Sequence, residues 1–399
     1  MKKLVVLTKS LPDYTTGGNG NILYHILKYL PKKFSHVTIV ILKYNNDKIN
    51  TKFIKDFPNI KFDLKNYLIS DLKKNDIYFS KNIFTRSFES ILDLYFYKEI
   101  IKKNENLIAE SDKILSFGYE WALSLDKQNK NKHYCILNDP PEKVFFERFK
   151  ENYKSINLIL FKLRIFLFDL SQKIFLPRVN RYTRLGTFPY QHFKEYSKYL
   201  TNIDFLPYFT KKNKFFKRNL KKKQINLIHI GSLTSTASKI MLNNFFQKLI
   251  KLNIFDKEIN LYIIGRSNQK KQINLKKNIK INFLGHGDQK KIDKIIKKID
   301  FGFCPMNYGL GIRTRILTLI SYGLPVIVDD LSLSGFDNTL QRDGVFLNID
   351  EIHSFEKNFK KIFSNNKIYN DLRKKSFGIW KKKFNPEKNI RKINSIIFS

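Results

Sequence analysis

Gly309-Leu310-Gly311-Ile312-Arg313-Thr314-Arg315-Ile316-Leu317-Thr318-Leu319-Ile320-Ser321-Tyr322-Gly323-Leu324-Pro325-Val326-Ile327 is the stretch from which the fold is read. Two glycines let the backbone approach a ligand closely, and a helix over Arg313 to Tyr322 begins directly after them. The free N–H groups and the dipole at such a helix start favour an anion. Arg313 and Arg315 add planar, permanently charged donors suited to phosphate oxygens. Gly323-Leu324-Pro325 then ends the helix and turns the chain into a strand. An isolated glycine pair with solvated arginines would mean little. Glycines, arginines, helix and Gly-Leu-Pro-Val-Ile in this order point to a phosphate site in an α/β domain.

The surrounding sequence has the same grammar. Ile225 to Ile230, Leu261 to Ile264 and Ile281 to Leu284 read as buried strands, each followed by glycine. A helix is expected from about Ser238, and Ile292, Ile295, Ile296 and Ile299 lie on one helical face before strand Phe301 to Cys304. Ile352, Phe355, Phe359 and Ile362 mark a late helix. The first half opens likewise, with strand Leu4 to Leu7, the loop Gly17-Gly18-Asn19-Gly20, an apolar helix and strand Val37 to Leu42. Further strands are expected at Ile60 to Leu64, Lys113 to Phe117 and Tyr134 to Leu137. Two Rossmann-like, doubly wound α/β domains in tandem, facing a central cleft, follow from this order. The expected boundaries are 1–208, a basic linker at 209–224, 225–378, and a C-terminal helix at 379–399 packing back on the first domain. The linker rests on eight basic residues and no acid between Lys211 and Lys223, which read as a solvated connector.

In its motifs the chain resembles the GT-B glycosyltransferases, specifically the retaining family 4. Gly309-Leu310-Gly311-Ile312-Arg313 and Gly323-Leu324-Pro325-Val326-Ile327 carry most of the likeness. Gly17-Gly18, Gly231-Ser232-Leu233 and Phe283-Leu284-Gly285-His286 extend it. The resemblance implies donor binding by Gly17, Gly18, Gly231, Ser232, Lys239, Gly309, Gly311, Arg313, Arg315 and Thr318. It implies sugar transfer with retention from a nucleotide-sugar donor to a cell-envelope glycan or lipid-linked acceptor. The leaving diphosphate would be stabilised by both arginines and the helix N-terminus, and would itself accept the acceptor's proton. No metal and no cofactor are expected. The family's two glutamates near this helix fall on Leu310 and Thr318, neither of which is an acid. That departure supports an alternative, a non-catalytic GT-B-like protein binding nucleotide sugar or polyanion. An epimerase would need acid/base carboxylates that this helix lacks.

Two acids at strand ends of the first half are catalytic candidates. Asp139 in Asn138-Asp139-Pro140-Pro141 follows one strand, and Glu120 follows Phe117-Gly118-Tyr119 at the end of another. Each has the plain reading of a helix cap or loop acid. His25 reads as packed.

Composition bounds the rest. Lys and Arg total 74 against 35 acids, a formal charge of +39, so polyanions must be attracted. Phosphorylated donors, anionic lipid and nucleic acid all qualify, but no RNA-binding motif is present and no specific nucleic-acid partner is expected. Cys135 and Cys304 read as buried thiols without metal-type spacing. The apolar stretch near Met1 is too short for a signal-peptide core and no run is long enough to span a bilayer, so a cytoplasmic location is expected. Ile156 to Leu176 reads either as a helix buried against the first sheet, which is preferred, or as a membrane-surface helix touching anionic lipid.

Overall fold

The computed structural model describes residues 2–13, 19–43, 51–68, 94–125, 131–137, 156–220, 223–231, 247–248, 258–265, 272–276, 278–285, 287–304, 311–337, 340 and 345–399. The chain forms two compact units, Met1–Pro207 with Ile390–Ser399, and Tyr208–Asn389.

The first unit is built on strands β1 (Lys2–Thr8), β2 (Phe34–Lys43), β3 (Lys61–Leu68), β4 (Lys113–Phe117), β5 (His133–Ile136), β6 (Arg184–Thr187) and β7 (Ile203–Phe205). They lie in the order β3-β2-β1-β4-β5-β6-β7, every pair parallel. A parallel sheet is buried on both faces, which is why β1 and β2 read as near-continuous apolar runs. Val5, Leu7, Val40 and Leu42 meet Tyr97, Ile100 and Trp121 on one face. β6 and β7 escaped the sequence reading because they are short and carry Arg184, Gly186 and Asp204 among their few apolar residues.

The second unit repeats the plan with β8 (Gln224–Ile230), β9 (Glu258–Ile264), β10 (Gln272–Lys276), β11 (Ile279–Phe283), β12 (Phe301–Cys304), β13 (Val326–Val328) and β14 (Phe346–Asn348). The order is β10-β11-β9-β8-β12-β13-β14, with β10 antiparallel at the edge and the others parallel. Successive residues of β8 serve opposite faces: Leu227 packs with Phe355 and Phe359, and Ile228 with Ile316, Ile320 and Trp380. Both units are thus doubly wound α/β sheets. The helix expected from Ser238 lies outside the described residues.

Two boundaries differ from expectation. The basic stretch after Pro207 is not a solvated connector but packs along the second unit. Leu220 enters its core, Asn213 Nδ2 donates to Ser321 Oγ at 2.7 Å, and Arg218 pairs with the buried Asp300. Asp300 also accepts from Asn226 N at 2.8 Å. Burial raises its pKa above the ordinary aspartate range, and Arg218 opposes part of that rise. Nor does 379–399 act as one piece. Ile379, Trp380 and Phe384 belong to the second core, where the Trp380 indole N–H donates to Thr210 Oγ1 at 2.9 Å. Only Ile390–Ser399 folds with the first unit: Asn394 Nδ2 donates to the carbonyls of Ile26 and Tyr29, and the Phe398 ring lies 5.1 Å from that of Phe34.

The helix Ile156–Asn180 also departs from the preferred buried reading. Leu176 and Val179 near its C-terminus enter the first unit's core. Phe166, Leu170, Ile174 and Phe175 are instead 60, 41, 43 and 44% exposed. Among the described residues no helix is long and apolar enough to cross a membrane.

Arg218 is the countercharge of a fully buried carboxylate, so removing it leaves Asp300 unpaired. Arg218→Ala should destabilise the second unit by about 3–5 kcal/mol, read by urea unfolding. Lys211→Ala in the same stretch, at an exposed position, should stay within about 0.5 kcal/mol.

Candidate functional site

In the second sheet the connections run to one side from β8 to β9 and to the other from β12 to β13, so chain order reverses between β8 and β12. Open α/β sheets bind ligands at the carboxyl ends of the strands flanking such a reversal. Here those ends are Ile230-Gly231 and Cys304.

The Thr314–Ser321 helix serves this point. Gly311 precedes it with φ +86°, a conformation that an L side chain rarely adopts. Arg313 occupies the N-cap position, and the helix starts one residue later than the sequence reading placed it. The loop is held by another glycine: a Cβ on Gly335 would come within 2.5 Å of the Gly311 carbonyl carbon and 2.8 Å of Ile312 N. Gly335 is delivered there by the short Asp330–Leu333 helix after β13. Asp329 caps that helix through Ser332 N at 2.8 Å, and Ser332 Oγ donates to the Cys304 carbonyl. The far end of the Thr314–Ser321 helix is fixed equally well. Arg373, fully buried, donates from Nε to the Gly323 carbonyl at 3.0 Å, placing a cation where the helix dipole favours one.

Arg315 reaches back from this helix to the end of β8. Its guanidinium lies against Gly231, where any Cβ would collide with it. Nη1 meets His229 Nε2 at 3.3 Å, and His229 Nδ1 meets the Phe303 carbonyl at 3.3 Å. A carbonyl only accepts, so Nδ1 carries the proton and Nε2 accepts from Arg315. Burial first, then the Arg315 charge, push the His229 pKa down to about 3, so the ring is neutral. Burial pushes the Cys304 thiol up to about 11, and the charges of Arg315 and then Arg313 oppose that rise. Cys135 and Cys304 are both free, buried thiols, and burial pushes Cys135 up to about 12.

Of the sequence candidates, Gly231, Gly311, Arg313 and Arg315 are brought together. Thr318 lies on the same helix, but its hydroxyl donates to the Thr314 carbonyl at 3.0 Å and so serves the helix backbone. Gly17, Gly18, Asp139, Ser232, Lys239, Gly309 and Leu310 lie outside the described residues. His229 and Gly335 were missed. A histidine two residues before the glycine that ends an apolar strand was the available signal for the first; no local signal existed for the second.

The first sheet has its own reversal, between β1 and β4. Glu120, in the first turn of the Tyr119–Ser124 helix, sits at the end of β4 and pairs with Lys9 at the end of β1, Nζ to Oε1 at 3.0 Å. Lys9 Nζ also lies 5.2 Å from the Tyr97 ring centroid. The other Glu120 oxygen, Oε2, is buried without a hydrogen-bond partner among the described residues. His25 is half-buried with its ring 5.5 Å from that of Tyr24. Among the described residues no group of three or more His, Cys, Asp or Glu is placed to hold a metal ion.

No protein-family model and no curated protein matches this sequence. Solved structures do match, over essentially the whole chain. WaaG, a glycosyltransferase involved in lipopolysaccharide biosynthesis, is 11% identical with TM-score 0.59, over 99% of each chain. TarM is 13% identical with TM-score 0.61, over 100% of this chain and 99% of its own. The fold is that of the GT-B glycosyltransferases. A third GT-B match, Anabaena HepE solved with UDP and glucose, is 10% identical with TM-score 0.55, over 98% of each chain. At such identities the likeness speaks for the fold alone. What this GT-B chain does must be argued from its own residues.

Buried histidines held neutral, His133 and His229, make stability depend on acid. His229 anchors the second unit; His133, bridging the hydroxyls of Ser116 and Thr183, anchors the first, and burial pushes its pKa to about 3. Unfolded histidine titrates near 6.5, so their contribution is complete above pH 6.5 and is lost as pH falls from there toward 3. By pH 5 each should cost about 2 kcal/mol. Urea titrations at pH 7 and pH 5 should show this, and His133→Gln and His229→Gln should each flatten the difference. A pH dependence unchanged by either substitution would contradict the buried-neutral assignment.

Proposed function

We propose that this chain transfers a sugar from a nucleoside-diphosphate sugar, with retention, to a glycan or lipid-linked acceptor of the cell envelope. The observation that carries the reading is the Arg315 guanidinium seated across Gly231 at the reversal point of the second sheet, with Arg313 at the adjoining helix cap. Two fixed cations and a helix N-terminus at that point suit a diphosphate. Gly231 leaves the room that the Arg315 guanidinium occupies, and Gly311 takes the positive φ that leads into the helix.

In this reading the arginines take up charge as the bond from the anomeric carbon to the diphosphate oxygen breaks. The departing phosphate oxygen accepts the proton of the attacking hydroxyl on the same face of the sugar, which accounts for retention. Glu120, paired to Lys9 through Oε1 and with Oε2 unbonded among the described residues, would help orient the acceptor side. Gly17, Gly18, Ser232, Lys239 and Gly309 would complete the donor site, and Asp139 the acceptor side. The matched structures support this class: WaaG is described as acting in lipopolysaccharide biosynthesis, and HepE is seen with UDP and glucose. The alternative, a protein that binds nucleotide sugar without catalysis, is favoured by Thr318, whose hydroxyl is tied to its own helix.

The exposed stripe Phe166, Leu170, Ile174 gives the acceptor side a setting. It recurs every four residues along one helix face, and Lys162, Lys173 and Arg178 on that helix are exposed. An apolar stripe with basic flanks suits the surface of an anionic membrane, where a lipid-linked acceptor resides. We place the enzyme there as a peripheral protein on the cytoplasmic side.

Two measurements test the proposal. Nucleoside-diphosphate release should be detectable with one of a panel of nucleotide sugars, and Arg313→Ala and Arg315→Ala should each weaken diphosphate binding by one to two decades. Lysine should rescue only in part, having lost the planar two-point contact. Lys211→Ala is the control; an equal loss there would mean diffuse charge attraction. Binding without turnover across the panel would favour the non-catalytic alternative. For the membrane setting, the protein should co-sediment with vesicles rich in phosphatidylserine at low salt and release as salt rises. Phe166→Ser with Leu170→Ser should abolish that binding, and indifference to lipid charge would overturn it.

A further inference from the structure

We infer that His229 is a positioning residue for the donor diphosphate: a neutral imidazole that aims the Arg315 guanidinium across Gly231 without cancelling its charge. The inference rests on the reading of Arg315 as a diphosphate ligand.

The problem that His229 solves is one of preorganisation. A free arginine side chain must give up rotamer freedom to meet a ligand, and that loss is subtracted from affinity. Arg315 starts from a helix after β12, yet its guanidinium lies at the end of the neighbouring strand, over Gly231. Something at that strand end must hold it. A carboxylate would do so most strongly, but it would satisfy the very charge that a phosphate is meant to meet. A neutral acceptor holds one N–H and leaves the charge and the remaining donors for the ligand.

His229 is built to be that acceptor. It is fully buried in β8, and the Phe303 carbonyl of the adjacent strand takes its Nδ1 proton. The Phe303 ring stands 5.2 Å away, tilted, and closes the side of the imidazole. Nε2 is left with a lone pair, and among the described residues the donor that meets it is Arg315 Nη1. The depressed pKa agrees with the geometry: the ring stays neutral wherever the protein is folded near neutral pH. Gly231 completes the seat, since any side chain there would occupy the space of the guanidinium.

The deciding experiment is a double-mutant cycle on the full chain, by calorimetry with UDP, GDP and ADP in turn. His229→Leu should weaken the tightest of these about tenfold, the worth of one hydrogen bond to a charged group. His229→Gln, which can still present an acceptor, should recover most of that. In an Arg315→Ala background, His229→Leu should cost nothing further. If it costs the same tenfold there, His229 acts through packing alone and the inference is overturned, while the diphosphate site stands. If Arg315→Ala itself leaves affinity unchanged, the reading of the site falls, and this inference with it. Should His229→Leu fail to fold, nitrogen-15 spectra of the wild-type imidazole decide the matter. Nδ1 should be protonated and Nε2 not, and saturating nucleotide should move the Nε2 resonance. A resonance that ignores nucleotide overturns the proposal.

Discussion

The Thr314–Ser321 helix is held by contacts that tolerate no side chain, and the geometry of the second unit's site follows from them. At its start the backbone of Gly335 lies on that of Gly311, too close for a Cβ. At its end Gly323 takes φ +71° under the Phe215 ring, and Arg373 bonds its carbonyl. A helix fixed at both ends presents its first turn in one place. The backbone of Arg313 and Arg315 is therefore placed by backbone packing, and His229 and Gly231 settle the last few bonds of the Arg315 side chain. Rigid supports of this kind allow a charged group to be ready before its ligand arrives.

Charge is distributed unevenly between structure and surface. Several of the 35 acids are tied to structural tasks: Asp300 to Arg218, Asp329 to the cap of the Asp330–Leu333 helix, Asp293 to Tyr322. The described residues at the end of β8 and the start of the Thr314–Ser321 helix include two arginines and no acid. The partner of Arg315 is neutral. A net charge of +39 raises the concentration of any anion near the protein, but it cannot orient one. Orientation comes from the few cations whose side chains are held.

The two sheets carry the same strand order through their central strands, and each has a charged group at its reversal point. In the second these are the arginines. In the first they are Lys9 and Glu120, an ion pair whose second carboxylate oxygen has no hydrogen-bond partner among the described residues. Among GT-B chains of 10–13% identity to this one the fold persists while little sequence does, because burial of both sheet faces asks only for apolar residues at alternating positions.

By itself the sequence determined what depends on local pattern. The apolar runs Leu4 to Leu7, Val37 to Leu42 and Ile225 to Ile230 declared parallel strands buried on both faces. The Gly311–Arg315 segment declared a glycine turn leading into a helix, and the helix Thr314–Ser321 begins there. Tertiary structure alone decided three other things. Lys211 to Lys223 looked like a solvated connector because eight cations hide the buried Leu220 and one buried ion pair; only Asp300, 82 residues beyond Arg218, shows where that arginine goes. Phe166 and Leu170 looked like core because exposure depends on which helix face meets the sheet, and that is set by neighbours remote in sequence. His229 and Gly335 belong to the site through contacts 86 and 24 positions away, with Arg315 and with Gly311. Periodicity and motif spacing report on neighbours along the chain. A hydrogen bond between a strand and the helix that follows its neighbour in the sheet leaves no trace in either.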